Sequence, residues 1–182
     1  MILSNEDAKY FYDLWIPLLD YVNRESKLLP ELYGMTSPSG LPLQKVAIIT
    51  NKLWENTSVI DDYIASTSLN HTEIKQLEMW KNHSIHDRFI VDRHLQTGSV
   101  FISVQTESVY LVKGIYSSLR EMLQGLPMPH IVTATLLPFK NVIIHDGIIM
   151  PHGITLGKNV SDHSKEIYRN AKATNSIISC FS

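Results

Sequence analysis

Between Trp80 and Phe89 the spacing of apolar residues changes period, and that change restricts the fold more than any other feature of the chain. Before it, apolar side chains recur every three or four residues. Ala8, Phe11, Tyr12, Trp15, Leu18, Leu19 and Val22 share one helical face. After it they alternate, Phe89 and Val91 against Arg88, Asp92 and His94, then Val100, Ile102 and Val104. A stripe at helical spacing cannot be buried by a strand, so the two stretches demand different elements. The expectation is an α+β fold: a helical N-terminal half packed with a hairpin-rich, mainly antiparallel sheet and two further helices. At 182 residues this reads as a single domain over 1–182, with a helical subregion at 1–82 and a sheet-rich subregion at 83–182.

Local signals place the elements. Ser4 with Asp7 opens the first helix, and Pro17, which removes the bond to the Asp13 carbonyl, predicts a kink or break. Pro30, Gly34, Pro38, Gly40 and Pro42 make Leu29 to Pro42 a loop. A second helix runs over Leu43–Trp54, Ser58 caps a short third one through Ala65, and Asn70 with Glu73 caps a fourth. In the second half, Gln96 to Ser99 is a turn and Val109 to Lys113 a strand. Ser118 with Glu121 caps a short helix, and His130 to Leu137 is another strand. Asp146-Gly147 reads as a hairpin turn between Val142–His145 and Ile148–Met150. Ser161 caps the last helix, with Asp162 and Glu166 early in it and Arg169 and Lys172 late, as the helix dipole favours.

Several of these segments together resemble small uncharacterised bacterial proteins. The shared pieces are the element Ala134-Thr-Leu-Leu-Pro-Phe-Lys-Asn-Val-Ile-Ile-His-Asp-Gly147, the stretch Phe11 to Asn23, the strand Arg93 to Leu95 and the helix Tyr168 to Lys172. The resemblance implies a bacterial or bacterial mobile-element origin, an intracellular setting and one integrated domain. It brings no activity and no catalytic residue.

Composition narrows the function classes. Sixteen Lys and Arg against 18 Asp and Glu give a net charge of −2, which argues against a strongly basic nucleic-acid binder. Residues 1–91 carry −4 (8 basic, 12 acidic) and residues 92–182 carry +2 (8 basic, 6 acidic), so the asymmetry is mild. One cysteine, Cys180, excludes an intrachain disulfide and a multi-cysteine zinc site. No secretory signal is read at Met1 to Tyr10, and the C-terminal Ser-Cys-Phe-Ser is no prenylation box. The longest uncharged stretch, Met122 to Phe139, holds three prolines, a glycine and a histidine, so no membrane span is expected. No Walker A, Gly-x-Gly-x-x-Gly or Gly-x-Ser-x-Gly motif is present, and there is no cysteine cluster or HExxH or HxH spacing, so no nucleotide, other cofactor or metal is expected.

Two polar clusters are candidates for chemistry. In the first, His86, Asp87, Asp92 and His94 surround Arg88 and Arg93. Period 2 places Asp92 and His94 on one strand face, where a carboxylate could fix an imidazole tautomer and hold the imidazolium. The plainer reading is the polar face of a half-solvated strand. The second cluster is His145 and Asp146 with His152 and Lys140, and there Asp146-Gly147 is already explained as a turn. Phe11, Tyr12 and Trp15 read as core. The leading expectation is a small intracellular, cytoplasmic, non-catalytic binding module with a protein partner, contacts being assigned to Arg88, Arg93, His145 and Asp146. One alternative is a His/Asp-dependent hydrolase or nuclease using residues 83–94. A second is a nucleic-acid-binding regulator using Arg88, Arg93, Lys113 and Lys140.

Overall fold

The computed structural model describes residues 1–37, 40–154 and 156–181. Pro38 of the expected loop and Ser182 of the C-terminal tetrapeptide lie outside these residues. The chain is α+β and forms two compact units, Ser4–Asn82 and a second made of Met1–Leu3 with the chain from His83 onward. Among the described residues, no helix is long and apolar enough to cross a membrane.

The first unit is helical: α1 (Asn5–Ser26), α2 (Leu43–Glu55), α3 (Val59–Ser66) and α4 (His71–His83). The Ser4 hydroxyl accepts from the Asp7 N–H at 3.1 Å, as the sequence suggests. Where the sequence predicts a kink or break, helix α1 runs through Pro17 as one unbroken element. Pro17 and Asp13 both lie on the solvent side, where water can serve the carbonyl that proline leaves without a donor. At α3, Ser58 stands at the N-cap position but its hydroxyl donates to Asn56 Oδ1 instead of capping. Asn70 and Glu73 do form the expected reciprocal cap. The buried stripe of α1 meets aromatics from α2 and α4. Trp15 stacks on Phe11 and Trp54, each at 5.8 Å between centroids, and meets Trp80 edge-on at 5.6 Å.

The second unit is a closed five-stranded barrel built from β1 (Ile85–His94), β2 (Ser99–Ser103), β3 (Val109–Lys113), β4 (His130–Phe139) and β5 (Val142–Pro151). Its order is β1-β2-β3-β5-β4, with β1 pairing β4 to close the ring. All pairings are antiparallel except β3 with β5, where Val112 and Lys113 face Ile143 and Ile144. A short helix, α5 (Leu119–Met122), lies in the β3–β4 connection. This order and this helix position are the topology of the OB barrel. The interior is filled by Phe89, Val91, Phe101, Val112, Val132 and Leu136 among others, and Leu119 and Leu123 from α5 and its end join them. On the outside, α6 (Lys158–Ala173) lays Tyr168 and Ala171 on Ile90, Val100, Ile102 and Val109.

The β3–β5 pairing is short, and it leaves part of the β3 edge unpaired by β5. Two distant segments cover it. Ile178 bridges Tyr110 in parallel, with Leu111 N–H donating to Ile178 O and Ile178 N–H to Val109 O. Ile2 bridges Gly114, where a Cβ would sit 2.0 Å from the Ser117 carbonyl oxygen, so only glycine fits.

Two expectations need correction here. Asp146-Gly147 is not a hairpin turn. Strand β5 runs straight through it, and the turn between β4 and β5 is Lys140-Asn141, with Lys140 at φ 50°. Asp146-Gly147 instead forms a bulge. Between the pairs Leu136–His145 and Ala134–Ile149, β5 has two more residues than β4. Gly147, at φ 94°, supplies the left-handed backbone that a bulge requires as much as a turn does. The last helix begins earlier than Ser161, with Gly157 at the N-cap position and Ser161 inside the helix.

Candidate functional site

Asp92 and His94 were expected to share a strand face, and a second bulge separates them. Val91 pairs with Phe101 and Arg93 with Val100, so Asp92 is the extra residue and the period of 2 is broken between them. Arg93 opposite Val100 therefore joins the outer, α6-covered face. Its guanidinium carbon lies 4.1 Å from the centre of the Tyr168 ring, and its Nε donates to Asp92. The other carboxylate oxygen of the buried Asp92 accepts from Ser164 Oγ at 2.8 Å. His94, opposite Ser99, lies on the face of Phe101 and bonds Ser99 Oγ through Nδ1 at 2.7 Å. Burial, and then the charges of Arg120 and His130, lower its pKa, the opposite of what a paired carboxylate would do.

Asp92, Arg93, Ser164 and Tyr168 thus fasten α6 to the barrel. Ser164→Ala would leave a buried carboxylate short of a charge-assisted donor, at a cost of about 2 kcal/mol. The expected result is a selective loss of amide-exchange protection in α6, with β1 and β4 unchanged. Unchanged protection in α6 would show that the apolar contacts alone hold it.

Apart from Arg88, the remaining candidates are also engaged. His86 Nδ1 lies 2.9 Å from Thr135 Oγ1 on β4. Asp87 accepts from the Arg88 N–H and from Ser103 Oγ, tying the start of β1 to the end of β2. The Arg88 side chain is exposed. His145, opposite Leu136, is buried, and its Nδ1 accepts from the Gly147 N–H at 3.0 Å across the bulge. Its buried Nε2 has no hydrogen-bond partner among the described residues, and burial pushes the imidazole pKa down to about 4. Asp146, also buried, accepts from the Ile148 N–H at 3.0 Å. These groups hold strands and bulges in place. No group of three or more His, Cys, Asp or Glu able to hold a metal occurs among the described residues.

OB barrels take oligonucleotides and oligosaccharides on the face of β2 and β3 and on the β1–β2 and β4–β5 loops. Here that face carries Val100, Ile102 and Val109 and is covered by α6. Arg93 is taken by Asp92 and Tyr168, so the four basic residues of the nucleic-acid reading do not present one open stripe.

What the sequence reading missed lies in the β3–β4 connection. Twelve large apolar side chains are exposed among the described residues, and six come from this connection and from the segment bridged to Gly114: Met1, Ile2, Tyr116, Met122, Leu126 and Met128. The available signal was the uncharged stretch from Met122. Gly125, Pro127 and Pro129 deny that stretch any period, so the sequence marks it only as uncharged and non-spanning. Comparison with protein families, curated proteins and solved structures finds no match to this chain.

Proposed function

We propose that this chain is a small, non-catalytic binding module of the bacterial cytoplasm whose partner is a protein. The partner docks on the apolar surface of the β3–β4 connection. The concentration of exposed Tyr116, Met122, Leu126 and Met128 in one short segment carries the reading. Exposed apolar side chains gathered in one segment support an interaction site, and methionine adapts its shape to a partner at low cost. The engagement of His86, Asp87, Asp92 and His145 in scaffold bonds supports a role without catalysis and weakens the hydrolase reading. An unpaired, exposed Cys180 fits a reducing compartment. The sequence resemblance to small bacterial proteins supports the source.

The test compares two variants in quantitative capture from the native cell. Tyr116→Ser/Met122→Ser/Met128→Ser should lower partner retention at least about tenfold, equivalent to about 1.4 kcal/mol. His86→Ala/Asp87→Asn should retain the partner. Equal retention by the triple variant, or turnover of a phosphodiester or peptide substrate that His86→Ala/Asp87→Asn abolishes, would sink the reading.

A further inference from the structure

We propose that the cleft between the β1–β2 turn and α5 binds a small oxyanion, a phosphate or carboxylate group. The cleft is a cavity of about 200 Å³ lined by His94, Gln96, Ser99, Ser118 and Arg120, with Met1 at one wall, and no carboxylate is among its lining side chains. Its size sets the ligand class. Pockets for whole cofactors and drug-sized ligands run from about 300 to 1,000 Å³, so this one suits a head group.

The donors converge from two elements far apart in sequence. His94 ends β1 and lines the cleft, and the buried Ser99 hydroxyl bonds its Nδ1, which fixes the ring and leaves Nε2 for a ligand. Arg120, on α5, makes one long contact from Nη2 to the His94 carbonyl at 3.5 Å. Among the described residues its other donors have no hydrogen-bond partner. The exposed Gln96 amide adds an uncharged donor from the turn. Guanidinium, imidazole and amide form a donor set with no acceptor charge opposite it, and arginine's fork matches two oxygens of a phosphate or carboxylate. The acidic neighbour on α5, Glu121, has its Oε2 occupied by the Ser118 N–H and hydroxyl, both at 2.8 Å. Burial first, and then Arg120 on α5, His130 on β4 and the Met1 amino group at the cleft wall, disfavour protonation of His94, and a bound oxyanion opposes that effect. This site does not depend on the neighbouring apolar surface taking a partner.

The purified chain tests it by NMR titration of the histidine rings with inorganic phosphate and, separately, with acetate, ionic strength being held constant with chloride. Saturable movement of His94 is expected while His86 stays still, with the His94 pKa raised by about one unit at saturation. Arg120→Gln should weaken the response at least about tenfold. His94→Gln should leave a saturable shift at the Arg120 Nε–H, which keeps the test open if the histidine signal is lost. Saturation by phosphate alone assigns a phosphoryl ligand, and saturation by acetate as well assigns a carboxylate. A linear drift with both anions, or an unchanged response in Arg120→Gln, would overturn the proposal.

Discussion

Trp15→Ala should destabilise the helical unit by about 3–5 kcal/mol, the usual penalty for emptying a large aromatic site in a core. The side chain is fully enclosed and touches Phe11, Trp54 and Trp80, so three elements lose their common contact at once. The chain has two compact units, and a single melting curve would mix them. Amide exchange resolved along the sequence is the proper readout: protection should fall in α1, α2 and α4 and persist in the barrel strands. Wild-type protection in α1 would mean that the neighbouring rings collapse into the space.

The second large effect concerns acid. The His145 imidazole is held neutral, at about 4, by burial inside the barrel. An unfolded histidine titrates near 6.5, so between these values the unfolded chain binds the extra proton. Stability from this group is complete above about pH 6.5 and is lost as pH falls toward 4, levelling below that. The shift corresponds to about 3 kcal/mol over that window. His145→Leu cannot titrate, so its barrel should start weaker, because the Gly147 N–H loses its acceptor. It should then show a flatter stability profile between pH 7 and pH 4. Equal slopes for the two proteins would show that the acid sensitivity arises elsewhere.

Much of the fold could be read from local pattern because local chemistry decides it. Asn70 with Glu73 and Ser118 with Glu121 act over three residues, and the pairs form as read. The strand Val109–Lys113 has the limits its alternation gives. Asp146-Gly147 shows where such reading ends. Positive φ at Gly147 was legible, but a turn and a bulge demand the same backbone, and only the partner strand decides between them. The bulge at Asp92 is the same lesson with larger consequences, since one extra residue sends Arg93 toward α6 and His94 toward Ser99. The oxyanion cleft was out of reach for a simpler reason. His94 and Arg120 stand 26 positions apart, on elements whose meeting depends on barrel closure.

The covered edge of β3 dictates an order of assembly. Tyr110 receives its bridge from Ile178, made 68 residues later. During synthesis, β1, β2 and β3 can pair as consecutive hairpins. The free side of β3 must then wait for β5 and for the segment beyond α6. Until they arrive, a row of unpaired amides is open to any other nascent strand. Contacts at such long sequence separation are also slow to form, because the chain entropy of closing the loop must be met first. The barrel should therefore fold as a late, nearly all-or-none event, and the period before it is when the chain is most exposed to aggregation.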